Sequence, residues 1–189
     1  MSPNSWLRSA AVAGAVAAAA AGCSSNGVTT SAGPSGGTAS SPPPTSNSTS
    51  VKPTDTSERS SLLLQYRSFW RALAPASTSS LSQRKQLLRR VAVDPELGSL
   101  LAGIARERTR GRAFYGVDVP RPKIEQLSTE QSLAVVDDCQ DSSGSGVIEL
   151  ATHRKLTKGT VRNHVVVTLH READGLWRVA FVSYPKTPC

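Results

Sequence analysis

The spacing of the hydrophobic residues changes once along residues 57–189, from a helical period to a strand period. Early in this segment apolar side chains recur at steps of four and three, as in the series Leu62, Tyr66, Phe69, which is typical of an amphipathic helix. From residue 161 to 169, β-branched residues alternate with polar ones, which predicts a half-buried strand. Helices followed by strands predict an α+β domain, with three helices packed on one face of an antiparallel sheet of four to six strands.

The first two helices have readable ends. The first is predicted to span residues 57–73 and to end before Pro75, because proline lacks the N–H that a helix interior needs. Ser80 and Gln83 have the spacing of a capping box, in which each side chain bonds the backbone of the other. The second helix should therefore begin at Leu81.

The third helix and the strands follow from turn chemistry. Asp94 and Pro95 supply an N-cap and a proline at the first helical position, and that helix should end near Gly111. Asp174 and Gly175 are typical of a tight turn between two strands. Strands are predicted at residues 133–137, 147–152, 161–169 and 176–182.

Residues 1–22 have the layout of a bacterial lipoprotein signal peptide. Arg8 gives a positive start, and the apolar run at residues 10–21 is far shorter than the roughly 20 residues that span a bilayer. Small residues then precede Cys23. We expect Cys23 to be lipidated, which would anchor the protein at the outer face of the cell membrane; cleavage without lipidation would secrete it. A buried Ala-rich helix, the alternative, does not explain the change of composition at Cys23.

Residues 23–56 are expected to be a disordered tether. They consist mainly of Ser, Thr, Gly, Pro and Asn and include no aromatic residue, so they cannot bury enough apolar surface to offset chain entropy. As a coil this segment would reach on the order of 30 Å. Residues 57–189 then form one domain of ordinary size.

Two cysteines remain once Cys23 is assigned to lipid. An exported chain occupies a compartment in which disulfides persist, and an even remainder favours pairing, so Cys139 and Cys189 are predicted to form a disulfide. Closing a loop of about 50 residues would contribute roughly 4 kcal/mol in the chain-entropy model. The alternative is two free thiols.

The net charge of +8 lies mostly in the predicted domain. A basic surface could bind acidic wall polymer or anionic lipid, and for an exported protein we expect no nucleic acid partner. A solvated helical face is the simpler interpretation. The basic residues cluster at Arg84, Lys85, Arg89, Arg90, Arg106, Arg108, Arg110 and Arg112.

No motif for catalysis, a cofactor or a metal stands out. The three histidines are scattered without the spacing of metal ligands, and there is no nucleophile elbow, phosphate loop or dinucleotide fingerprint. Residues 142–146 are rich in Ser and Gly, which a loop explains. Tyr66, Trp70 and Trp177 could line an apolar pocket; the alternative is that they are core residues.

Four segments together resemble a known family. They are Tyr66–Trp70, Val136–Asp141, Asp174–Val179 and the terminal Cys189. In this order they are similar to small secreted actinobacterial lipoproteins with a nuclear-transport-factor-two-like (SnoaL-like) cone domain. The resemblance implies three helices packed on a curved antiparallel sheet. Most members have no assigned activity.

Enzymes of that wider superfamily, such as ketosteroid isomerases and SnoaL-like cyclases, place an Asp or a His–Asp pair inside the mouth of the cone. His164 alternates with Val165 and is expected on a solvated strand face, and Asp137 and Asp138 are expected to cap turns or face solvent. We therefore predict no catalytic set. The resemblance implies, as candidates to consider, Asp118, Asp137, Asp138, His153, His164 and His170, with Tyr66 or Tyr115 as hydrogen-bond donors.

These observations favour a membrane-anchored extracytoplasmic domain that binds a small apolar ligand or an envelope protein and catalyses no reaction. One alternative is a cone-fold isomerase, cyclase or hydrolase that acts on an apolar small molecule. Another is a basic module that binds acidic wall polymer or anionic lipid.

Overall fold

The computed structural model describes residues 53–189. The predicted signal peptide, the lipidation residue Cys23 and the tether up to residue 52 lie outside the described residues. No helix within residues 53–189 is long and apolar enough to cross a membrane. In chain order the elements are α1 (Pro53–Thr78), α2 (Leu81–Arg89), α3 (Glu96–Thr109), β1 (Arg112–Tyr115), β2 (Pro122–Ser128), β3 (Leu133–Gln140), β4 (Gly146–Glu149), β5 (Asn163–Arg171) and β6 (Trp177–Ser183).

The predicted α+β class is confirmed, with the strands divided between two antiparallel sheets. Strands β2, β3, β5 and β6 form a four-stranded sheet in the order β2-β3-β5-β6, and β1 pairs with β4. The sequence pattern did not indicate β1 or β2. Strand β2 begins at Pro122 and exposes Lys123, Glu125 and Gln126, so it lacks the β-branched alternation that identifies β5.

Helix α1 begins at Pro53, ahead of the predicted boundary, and continues through Pro75 to Thr78. The expectation that Pro75 ends it is wrong. The carbonyl of Pro75 accepts the N–H of Ser79 at 3.2 Å, which holds a further turn. One missing N–H near the end of a helix costs little when the remaining carbonyls have donors.

Two arginines supply those donors. Arg84, which is buried, donates from Nε to the carbonyl of Ala76 at 3.1 Å. Arg108 donates to the carbonyls of Ser77 at 3.1 Å and Thr78 at 3.3 Å. A guanidinium near the C-terminal carbonyls of a helix stabilises that end. These two members of the basic clusters therefore cap α1 rather than contribute to a free charged face.

The start of α2 follows the predicted cap, whereas the N-cap of α3 is Pro95 rather than the predicted Asp94. Both hydrogen bonds of the Ser80–Gln83 capping box are present. Helix α3 begins at Glu96, one residue later than predicted, with Asp94 Oδ1 accepting the N–H of Gly98 at 3.0 Å. The helix ends at Thr109, and it buries Glu96, which the helical pattern did not indicate.

The four-stranded sheet has an inner face, which packs on the helices, and an outer face. Burial alternates strictly along β3, so neighbouring residues lie on opposite faces. On β3 the inner face carries Ala134, Val136, Asp138 and Gln140, and the outer face carries Leu133, Val135, Asp137 and Cys139.

Candidate functional site

A cavity of about 70 Å³ lies where α1, the β1–β4 sheet and the start of β5 meet. Its apolar wall is formed by Trp70 and Leu73 of α1, Phe114 of β1 and Val147 of β4. Trp70 is held in place because its ring makes an edge contact with Phe69, with the centroids 5.0 Å apart. The polar wall contains Asp118, Ser145, Thr157, Asn163 and Tyr184.

Asp118 is the charged residue of this wall. Its Oδ1 accepts the hydroxyl of Ser145 at 2.5 Å, and Ser145 is fixed in turn by its N–H, which donates to the carbonyl of Ser142 at 3.0 Å. Within residues 53–189, Oδ2 of Asp118 has no hydrogen-bond partner. A half-buried carboxylate with a free oxygen is a ready acceptor for a donor or a cation.

Tyr184 lies beside Asp118 and follows β6. Its pKa is raised well above the ordinary value because the ring is buried, and the carboxylates of Asp118 and Glu96 add to that effect. The phenol is therefore neutral over the physiological pH range, and its hydroxyl makes no hydrogen bond to any residue of the described part of the chain. It can donate to a ligand or accept from one.

Part of the cavity wall is bare backbone from the Ser- and Gly-rich loop. A Cβ at Gly146 would lie 2.4 Å from the carbonyl oxygen of Thr157, and one at Gly116, where φ is +71°, would lie 2.1 Å from that of Gly144. Because such distances do not occur, these positions need glycine. Residues 142–146 thus shape the cavity, a role that their composition alone did not indicate.

Tyr66 and Asp138 form a buried pair in the core. The Tyr66 hydroxyl donates to Oδ2 of Asp138 at 2.6 Å, and the N–H of Arg121 donates to Oδ1 at 2.7 Å. Burial raises the pKa of Asp138, an effect that these two hydrogen bonds oppose. Burial also raises the pKa of Tyr66, and the charge of Asp138 adds to it. Both carboxylate oxygens of Asp138 are thus engaged, which makes this residue an internal acceptor.

Gln140 is the last residue of β3 and lies on the inner face of the sheet. It is fully buried, and neither Nε2 nor Oε1 has a partner among residues 53–189. It pairs in register with Asn163, which lines the cavity. Leaving a buried amide unpaired costs about 1–3 kcal/mol per group. Gln140 is not part of the cavity lining, so its amide is an unpaired polar group of the core rather than a group of the site.

His164 and Asp137 form a pair on the outer face. Nε2 of His164 lies 2.8 Å from Oδ2 of Asp137, and Nδ1 lies 2.8 Å from the carbonyl of Thr187. These contacts, the one with Asp137 first, raise the pKa of His164. The groove beside His164 borders the cavity at Asn163 and Tyr184, but both ring nitrogens are already engaged.

The predicted pairing of Cys139 with Cys189 is present on the same outer face, with an S–S distance of 2.02 Å. The guanidinium of Arg162 bonds the carbonyl of Cys189. Together with the contact between His164 and Thr187, these bonds attach the C-terminal segment to the sheet.

The structure separates the three aromatic residues that the sequence suggested for a pocket. Trp70 lines the cavity, whereas Tyr66 and Trp177 are fully buried in the core and are not part of its lining. Trp177 Nε1 donates to Oε2 of Glu58 at 3.1 Å, and the other oxygen of Glu58 pairs with Arg171 at 3.0 Å. This arrangement ties the start of α1 to the β5–β6 hairpin.

The other candidates lie elsewhere. Asp118 lines the cavity, and Tyr115 lines it as well while its hydroxyl donates to the carbonyl of Thr157 at 3.0 Å. His153 lies in an exposed turn after β4, and His170 is exposed on β5. Within residues 53–189 no group of three His, Cys, Asp or Glu side chains is placed to hold a metal ion.

No protein-family model and no curated protein sequence matches this chain. Among solved structures, the intermembrane space region of the chloroplast protein ARC6 is similar, with a TM-score of 0.42 and 12% identity. That match covers 71% of this chain and 95% of the other. A likeness of this size supports no inference about function.

Proposed function

We propose that this protein is an extracytoplasmic lipoprotein whose folded domain binds a small ligand and does not transform it. Its localisation rests on the sequence of residues 1–56, with lipid on Cys23 holding the domain at the outer face of the cell membrane. The proposed domain is a nuclear-transport-factor-two-like cone, and the cavity beside α1 is its mouth. Three helices on one face of an antiparallel sheet support that assignment.

The observation that carries the proposal is the mixed lining of the cavity. Trp70, Phe114 and Val147 give it an apolar wall, and Asp118 and Tyr184 give it free polar groups. Ligand sites combine a largely apolar surface with a few placed polar atoms. A volume of about 70 Å³ admits a group of a few heavy atoms, with the rest of a larger ligand outside.

Binding without catalysis is favoured because two acid–base candidates, His164 and Asp138, are already hydrogen-bonded, and Asp118, which keeps a free oxygen, is assigned to ligand binding. A general base needs a free lone pair directed at the reacting proton. Both nitrogens of His164 have partners on the outer face, and both oxygens of Asp138 accept hydrogen bonds away from the cavity lining.

The binding proposal is tested by filling the cavity. In Ala74→Leu the added methyl groups enter it from α1, whereas Ala102→Leu adds the same groups at an exposed position of α3. A library of small fragments is screened against the full chain by ligand-observed NMR. We expect fragments that bind the wild-type and Ala102→Leu proteins and fail to bind Ala74→Leu. Equal binding to all three, or no binding to any, contradicts the proposal.

The localisation proposal is tested separately. Cys23→Ser should move the protein from the membrane fraction to the medium and leave its unfolding midpoint in urea unchanged, because Cys23 precedes the described domain. Retention of the variant in the membrane fraction would contradict lipid anchoring at this residue.

A cone-fold enzyme is the second candidate, and the Tyr66–Asp138 pair is the observation that favours it. A buried carboxyl group with a raised pKa is suited to acid–base work, provided that the cavity opens to reach it. The test is α-deuteration of a panel of small ketones in D₂O, followed by proton NMR. Faster deuteration with the wild-type protein than with Asp138→Asn would favour the enzyme, and equal rates would favour the binding domain.

A further inference from the structure

We infer that the ligand is a small organic cation, whose ammonium group lies between the aromatic rings of the cavity and the carboxylate of Asp118. This inference rests on the proposed function and names the chemical class that the cavity takes. It also narrows the apolar ligand that the sequence suggested to one that carries a positive charge.

The charge of the cavity is the first argument. Asp118 is the one carboxyl group in the lining, and no arginine or lysine of the described residues is part of that lining. The cavity is therefore acidic inside a chain whose net charge is +8, which favours a cation over an anion.

The rings are the second argument. Trp70, Phe114, Tyr115 and Tyr184 all line the cavity, and an ammonium group over an aromatic face is attracted by its quadrupole, most strongly by tryptophan. The ring of Tyr115 already attracts one cation, because Nζ of the exposed Lys155 lies 4.8 Å from its centroid.

The neighbouring basic groups define the direction of entry. Lys155 and Lys158 line a groove that borders the cavity at Tyr115 and Thr157. They repel a cation on that side, so the ammonium group should lie on the Asp118 and Tyr184 side. A metal ion fits less well, since aromatic carbons cannot coordinate it and hard cations need several oxygen ligands.

The size of the cavity selects the shape of the ligand. A volume of about 70 Å³ holds the end of a primary alkylammonium ion, with the rest of a longer alkyl chain outside the cavity. The free Oδ2 of Asp118 and the hydroxyl of Tyr184 would receive the ammonium hydrogens, which makes charge-assisted hydrogen bonds that a neutral ligand cannot match.

The test compares three probes of one shape: n-butylammonium, n-butanol and butyrate. Each is titrated into the full chain while the indole resonance of Trp70 is followed by NMR, with Trp70→Phe used to assign it. We expect n-butylammonium to bind at least about tenfold more tightly than n-butanol, and butyrate not to bind. Equal affinity for n-butylammonium and n-butanol would overturn the cation inference and leave the binding proposal in place. No response to any of the probes, with fragment binding also absent, would overturn both.

Asp118→Asn supplies the decisive variant. It should lower the affinity for n-butylammonium by about tenfold or more and leave the affinity for n-butanol unchanged. Glu130→Gln is the matched control, because it removes one carboxylate at an exposed position and should change neither affinity. Since n-butanol binding reports an intact cavity, a loss of both ligands in Asp118→Asn would show a damaged site. Trp70→Phe then decides, with binding measured by ligand-observed NMR because this variant lacks the indole. We expect a severalfold weaker affinity for n-butylammonium, and an unchanged affinity would overturn the inference.

Discussion

The two faces of the four-stranded sheet give a carboxyl group opposite environments. Asp137 and Asp138 are neighbours in the sequence, yet one lies on the outer face and the other on the inner face. Asp137 is partly exposed and has His164 as a partner that can be positively charged. Asp138 is fully buried and receives only neutral donors.

The difference extends beyond these two residues. On the outer side, the disulfide, the His164–Asp137 pair and Arg162 hold the C-terminal segment in place. On the inner side, the acidic groups Asp118, Asp138 and Glu96 form no salt bridge with any residue of the described range 53–189. Such groups destabilise a fold when they ionise. A protein that retains them is therefore less stable than one with neutral groups in the same places. The outer face therefore serves stability, and the inner face serves the proposed site.

Removal of the disulfide, which lies on the outer face, should destabilise the protein more than any other substitution. Cys139→Ser with Cys189→Ser should lower the free energy of unfolding by about 2–4 kcal/mol, because the closed loop joins residues separated by 50 positions. Urea unfolding measures the change. Membrane attachment should be retained, so the result is the reverse of that for Cys23→Ser. A variant as stable as the wild type would show that the disulfide contributes nothing to the stability of the fold.

The buried carboxyl group of Glu96 should make the free energy of unfolding depend on pH. Burial raises its pKa from 4.5 to about 7, although the N–H of Val182 donates to it. A carboxyl group whose pKa is raised in the folded state binds its proton more tightly there, so its contribution to stability is complete below pH 4.5 and is lost as pH rises through about 7. The shift corresponds to a loss on the order of 3 kcal/mol.

Glu96→Gln should remove that dependence. The variant should be more stable than the wild type at pH 8 and similar to it below pH 4.5, as measured by urea unfolding at both values. Glu130→Gln, which changes an exposed carboxylate, is the control and should follow the wild type. If Glu96→Gln shows the same decline with pH as the wild type, Glu96 is not the group responsible.

Glu96 also shows where prediction from sequence ends. The cap at Ser80, the hairpin turn at Asp174 and the pairing of Cys139 follow from rules on local chemistry and residue counts. Nothing local marks Glu96 as buried, since its environment is made by β6, far away in the sequence. The same holds for the cavity, whose walls come from α1, from β1 and β4, and from loop residues such as Gly116 and Asp118.

Pro75 illustrates a related limit. A proline predicts the end of a helix from its own missing donor, but Arg84 and Arg108 come from α2 and α3 to satisfy the carbonyls of the extra turn. The clustered arginines looked like a solvated surface for the same reason. Both the end of α1 and the surroundings of these arginines depend on side chains that contact a different helix. Hydrophobic period and residue spacing carry no information about such contacts.

Tyr66→Phe should lower the free energy of unfolding and leave the packing of the inner face unchanged. The variant leaves Oδ2 of a buried carboxylate without its donor, which should cost about 1–3 kcal/mol. Because the Tyr66 hydroxyl lowers the pKa of Asp138, its removal raises that pKa further, and the loss should be greater at pH 8 than at pH 5. Tyr115→Phe is the control, since its hydroxyl bonds an exposed carbonyl and its loss should cost about 1 kcal/mol or less. Equal losses of stability in the two variants would show that the hydrogen bond from Tyr66 to Asp138 is worth no more than an ordinary surface hydrogen bond.

Asp137→Asn is the smallest perturbation and tests whether the two faces are independent. The hydrogen bond that His164 donates to Asp137 is the main cause of the raised pKa of His164. Without it that pKa should fall toward its ordinary value, as followed by NMR of the ring protons. A histidine with a raised pKa stabilises the fold below its ordinary value of 6.5, and that stabilisation is lost as pH rises through the folded pKa. The variant should therefore be less stable than the wild type by about 1 kcal/mol or less at pH 6, with a smaller difference at pH 9. Binding of n-butylammonium in the cavity should not change, because Asp137 lies on the opposite side of β3 from Asp138; a change in that affinity would show that the two faces are coupled through the sheet.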